Sequence, residues 1–185
     1  MTRLLTVVAF ILFAALPTMG NAAPPLDPEN TIYMQLPAGQ VVIKLRPDLA
    51  PNHVKRVKEL TRAKFYDGLT FHRVIPGFMA QSGDPNGDGS GGSKLPDLKA
   101  EFTDTNFGRG TIGAARTPDP DSANSQFFIC FQDCSGLNGQ YTVWGEVVSG
   151  MEFVDKLKAG DPNIDDGRVT NPDKIVKMQV AADAK

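Results

Sequence analysis

The chain has 185 residues, a formal net charge of −2 at pH 7, two cysteines and two histidines. This length suits one domain of ordinary size with a real apolar core. The mildly acidic balance, without a basic tract, argues against nucleic-acid binding, and two cysteines are too few for a disulfide-built scaffold.

The first element is a targeting segment. Arg3 supplies a short positive region, and Leu4–Leu16 is an apolar run interrupted by a single Thr. Pro17 breaks the run, and Gly20, Asn21, Ala22 and Ala23 follow, which is the layout of a secretory signal peptide. The run is shorter than the ~18–20 residues of a spanning helix, so no stable membrane anchor is expected. The expected organisation is a signal peptide over residues 1–23 and one domain over 24–185. The destination is the periplasm where the cell has an outer membrane, and the exterior otherwise.

Thr31–Leu36 and Gln40–Arg46 read as strands around a turn at Pro37-Ala38-Gly39. Pro51–Lys64 reads as a helix, with Pro51 at its first position. Val54, Val57, Leu60 and Thr61 share one face of it, while Lys55, Lys58 and Arg62 take the other. Apolar segments follow at Phe71–Ile75 and Phe78–Ala80, split by Pro76-Gly77. Ser82–Lys99 reads as a long glycine-rich loop. Thr111–Ala115, Gln126–Phe131, Thr142–Val148 and Lys174–Val180 read as strands, and Met151–Ala159 as a second helix stopped by Gly160. Many short strands with two helices point to a barrel or a sandwich, which the pattern does not separate.

Two motifs in the glycine-rich loop fail their context. Asp84-Pro85-Asn86-Gly87-Asp88-Gly89 copies half of a calcium loop, but its twelfth position is Leu95 where a bidentate Glu is needed. Gly87–Gly92 fits G-x-G-x-x-G without the strand before it and the helix after it that dinucleotide binding requires. His53 and His72 lack companions at ligand spacing, so no metal is expected. No G-x-S-x-G nucleophile elbow occurs. Cys130 and Cys134 are open to either reading, a disulfide or two free thiols, since spacing does not fix their separation.

The informative stretch is Phe71-His72-Arg73-Val74-Ile75-Pro76-Gly77-Phe78-Met79-Ala80-Gln81-Ser82-Gly83-Asp84, which packs aromatic, thioether, guanidinium and amide groups together. Strand alternation puts Gln126, Phe128 and Cys130 on one face and Phe127, Ile129 and Phe131 on the other. The all-apolar set is the core candidate. Phe128 is then left beside a glutamine, as in an apolar groove with a few polar groups.

These two blocks, in this order and spacing, resemble the signature blocks of the cyclophilins. Phe65–Gly68, Gly110–Thr117 and Val147–Met151 extend the likeness along the mature chain. The resemblance implies a mainly β fold: a closed antiparallel β-barrel of about eight strands capped by two α-helices. It implies a peptidyl-prolyl cis/trans isomerase, or rotamase, that assists folding of exported proteins and needs no cofactor. The alternative is a proline-binding, chaperone-like module that uses the same groove without turnover. Arg73 matches the family's catalytic donor. Phe78, Met79, Phe128 and Leu137 match its proline pocket. Gln81, Ala115, Arg116 and Gln126 match positions that hold the substrate backbone, with Arg116 where many members carry Asn and acting through its main chain. Gly136 stands where cyclosporin-sensitive members have Trp, and Tyr141 replaces their pocket His. Weak cyclosporin binding is therefore expected, with proline-containing polypeptides as partners and a monomer as the state. Trp144 reads as a structural aromatic, and Arg56-Val57, where Asn-Phe is common, as a core adjustment.

Overall fold

A computed structural model describes residues 25–184, so the expected signal peptide lies outside the described residues. Eight strands make one antiparallel sheet, in the order β3-β4-β6-β5-β7-β2-β1-β8. They are β1 (Thr31–Leu36), β2 (Gly39–Leu45), β3 (Arg73–Ile75), β4 (Met79–Ser82), β5 (Thr111–Ala114), β6 (Phe127–Cys130), β7 (Val143–Ser149) and β8 (Lys177–Val180). The helices are α1 (Pro51–Arg62) and α2 (Met151–Val154).

The β1–β2 hairpin turns where Pro37 interrupts the apolar alternation, and Ile32, Met34, Leu36, Val41, Ile43 and Leu45 all face the core. Helix α1 packs against β7 and β8 through Val54, Val57, Leu60 and Thr61, the face its spacing predicts. Its first N–H groups have no partner within the helix. The Glu101 carboxylate, 48 residues further on, accepts from the N–H of Asn52 at 3.1 Å and of His53 at 3.0 Å. Arg56 is buried with this face, and one of its Nη atoms donates to the Pro96 carbonyl at 2.9 Å. Helix α2 is a single turn, shorter than the apolar spacing suggests. Val154 and Leu157 are both buried, but the chain bends after Val154 to place Leu157.

The expectation of a closed barrel is met in its strand number and antiparallel order. The ladder itself is not closed, because β3 and β8 are edges that do not pair as strands. Main-chain bonds span this seam: Phe71 N–H to Asp173 O (2.9 Å), Ile175 N–H to Leu69 O (2.8 Å) and Val169 N–H to His72 O (3.0 Å). They also account for the late start of β8. Residues 173–175 pair towards residues 69–71, and the bonds to β1 begin at Val176, whose N–H donates to the Gln35 carbonyl at 2.8 Å.

Two apolar clusters form on opposite faces of β6. Phe127 and Ile129 enter the main core, where Phe127 meets Trp144 edge-on at 5.7 Å. Phe128 and Cys130 enter a second cluster with Met79, Phe107, Cys134 and Val143. The alternation read from the sequence therefore separates the core from the face that bears the site. Cys130 and Cys134 are buried free thiols, and burial pushes both above the ordinary thiol pKa.

Candidate active site

Strand register assembles the site. Arg73 on β3 faces Gln81 on β4, Gln81 faces Phe128 on β6, and Phe128 faces Gly113 on β5. Directly opposed residues of an antiparallel ladder share a face, so these four form one row across four strands. Gly113 is required in that row, since a Cβ there would collide with the rings of both Phe128 and Phe107. These two rings stack, with centroids 5.7 Å apart.

Around the row lies a cavity of about 200 Å³. Phe78, Met79, Phe128, Leu137 and Tyr141 give its apolar surface, with Arg73, Gln81, Ala115 and Arg116 at its polar edge. The Tyr141 ring meets Phe128 edge-on at 5.6 Å, an attractive geometry for two quadrupoles. Gln126 falls outside this cavity. It lines an adjoining one of about 350 Å³, which shares Gln81, Ala115 and Arg116. Gln81 connects the two, donating to the Gln126 side-chain carbonyl at 2.9 Å. Gln126 is itself anchored by donating to the Gly89 and Gly91 carbonyls at 3.0 and 2.8 Å, which gives the glycine-rich loop a wall to form.

All three nitrogens of the Arg73 guanidinium are held. Nη1 donates to Gln81 Oε1 at 3.3 Å and Nε to the Asp166 carbonyl at 2.9 Å. Nη2 pairs with the Asp166 carboxylate at 2.8 Å. Asp166 is the neighbour of Arg73 that sequence reasoning missed. Its only local mark is an Asp-Asp-Gly run, and Asp165 and Asp166 both take left-handed backbone (φ 54° and 52°), which Asp tolerates better than most residues. A third cavity, of about 340 Å³, opens on the far side of Arg73 between this loop and His72. Burial pushes the His72 imidazole below its ordinary pKa, against the pull of Asp84.

A cavity walled by Phe78, Met79, Phe128, Leu137 and Tyr141 and edged by one amide and two guanidinium groups suits a small ligand group that is apolar in its body and polar at its rim. The comparisons narrow this class. Residues 31–180 match the model of the family described as cyclophilin type peptidyl-prolyl cis-trans isomerase. A probable peptidyl-prolyl cis-trans isomerase of Brucella suis is 55% identical over 170 residues, covering 86% of each chain. Peptidyl-prolyl cis-trans isomerase B of Bacillus subtilis is 42% identical over 135 residues, covering 71% of this chain and 93% of its own. The crystal structure of cyclophilin AquaCyp293 from Hirschia baltica superposes with a TM-score of 0.77 at 25% identity, covering 86% of this chain and 77% of that one. A Cryptosporidium parvum cyclophilin-type isomerase, solved in the presence of the dipeptide Ala-Pro, gives 0.73 at 24% identity, covering 81% and 98%. The chain belongs to the cyclophilin-type peptidyl-prolyl cis-trans isomerase family.

Proposed function

We propose that this chain accelerates rotation about X-Pro peptide bonds of exported polypeptides and thereby assists their folding, with Arg73 as the catalytic donor. The uncatalysed barrier is ~18–20 kcal/mol because rotation breaks amide resonance. Twisting the bond leaves the lone pair on the prolyl nitrogen. A fixed cationic donor stabilises that twisted state more than the planar one, which is what catalysis requires. On this reading the proline ring enters the cavity over Phe128, and Gln81, Ala115, Arg116 and Gln126, which line that cavity or the adjoining one, hold the flanking amides. The observation that carries this reading is Arg73, fixed by Gln81 and Asp166 at the edge of an apolar cavity.

A coupled proline-isomerisation assay on wild type and Arg73→Ala tests the role. Loss of about 10²–10³ in kcat/KM is expected, the usual effect of removing one preorganised donor. Equal rates would remove Arg73 from the chemistry. Binding of a proline peptide without wild-type turnover would select the chaperone-like module instead. Export rests on the pattern Arg3, Leu4–Leu16 and Ala22-Ala23. A mature amino terminus at Ala23 or Pro24, read by mass spectrometry, supports it, and an intact Met1 on soluble cytoplasmic protein refutes it.

A further inference from the structure

Arg116 does more with its side chain than its place in the loop requires. Its Nε and Nη2 both donate to the Gln140 carbonyl, at 3.2 and 2.9 Å. Its Nη1 donates to the carbonyls of Thr117 at 2.8 Å and Pro118 at 3.4 Å. The guanidinium therefore ties the segment after β5 to the segment before β7. No carboxylate lies within ion-pair distance of it among the described residues. Its planar group instead lies 4.5 Å from the centroid of the Tyr141 ring. Tyr141 in turn stands edge-on to Phe128 at 5.6 Å, and Phe128 is the floor of the proline cavity.

We propose that the Arg116 side chain is a positioning residue for the wall of the proline cavity, acting through Tyr141. The proposal rests on the cavity being the proline site. Carbonyl bonds from both sides of the guanidinium, Nε and Nη2 to Gln140 and Nη1 to Thr117 and Pro118, fix its plane, and the plane fixes the tyrosine ring by cation–π attraction. The ring is thereby held upright against Phe128, so the cavity keeps its shape before the peptide arrives. Preorganisation of this kind strengthens binding by removing an ordering cost. A lysine at this position lacks the planar fork and cannot make both sets of bonds.

The test is a double-mutant cycle on Arg116→Ala and Tyr141→Ala, read as the calorimetric Kd for a proline-containing tetrapeptide and, in parallel, as KM and kcat. Thermal melting of each variant confirms that it folds. Arg116→Ala should weaken peptide binding about three- to tenfold, raising KM more than it lowers kcat. Arg116→Lys should recover little of the loss. In the Tyr141→Ala background, removing Arg116 should cost almost nothing further. Additive effects in the cycle, or full rescue by lysine, overturn the proposal. Absence of wild-type turnover would instead remove the isomerase reading, and the affinity cycle would still decide the role of Arg116.

Discussion

Asp166 lies 93 residues beyond Arg73 in the chain, yet its carboxylate meets the Arg73 guanidinium at 2.8 Å and its main-chain carbonyl accepts the Nε–H at 2.9 Å. The two residues thus come from opposite sides of the seam between β3 and the approach to β8. Under the proposed role of Arg73 the donor has to be in place before the amide twists, and this contact would hold it there.

Asp166→Ala should lower kcat/KM by about three- to tenfold, less than the loss of Arg73 itself, because Gln81 and the main-chain carbonyl still orient the fork. Asp166 is largely exposed, so its pairing is screened and the wild-type advantage should shrink as salt is added. The isomerisation assay at low and high ionic strength measures both effects. A faster variant would mean that the carboxylate draws the guanidinium away from substrate.

Gly113→Ala should damage both stability and peptide binding. The added methyl enters the space of Phe107 and Phe128, and overpacking of this kind costs about 1–3 kcal/mol. Shifting Phe128 also disturbs the floor of the cavity. A lower Tm with a raised KM is expected, whereas wild-type values for both would show that the two rings can yield.

Acid should destabilise the fold in two stages. Burial holds His53 and His72 below their ordinary pKa, in His53 despite its 2.6 Å contact with Glu101. The unfolded chain therefore takes up protons as pH falls through about 6.5 while the folded chain does not, so stability falls below that point. Burial alone would raise Glu101, but bonds from His53 and Asn52 hold it below its ordinary value. Its contribution is present above about 4.3 and is lost as pH falls further. The urea midpoint should drop between pH 7 and pH 5, and again near pH 4. A flat midpoint from pH 7 to 5 would show that neither histidine is held neutral.

Gly136→Trp should tighten inhibition by cyclosporin. Gly136 lies in the short turn Ser135–Leu137 beside the cavity, and nothing lies within 4 Å of a Cβ built there, so a side chain can leave the backbone at this point without a clash. A gain of about tenfold or more fits a large aromatic at the rim of a contact. Unchanged inhibition would assign the weak binding expected of the wild type to Tyr141.

What the sequence disclosed followed from local periodicity. The β1–β2 hairpin, the buried face of α1 and the two faces of β6 were all legible, because alternation and helical spacing are set by the neighbouring residues themselves. The pocket residues were legible through family resemblance, which brought Arg73 and Phe128 into one site where spacing alone could not. What stayed hidden depends on distant partners. Glu101 caps α1 from 48 residues away, and the strand expected from Lys174 divides between two neighbours. Asp166 reaches Arg73 through a left-handed turn written in two aspartates rather than in a motif.

The row Arg73–Gln81–Phe128–Gly113 has a consequence for how the molecule matures. Side chains alternate along a strand, so a slip of one residue in β4 or β6 would send its member of the row to the opposite face. A chain trapped in such a slipped pairing could be compact and well hydrogen-bonded, yet it would be catalytically silent. Turnover per molecule is therefore a gauge of correct strand alignment, and incompletely refolded preparations should contain fewer competent molecules of full activity rather than a uniform population of slow ones.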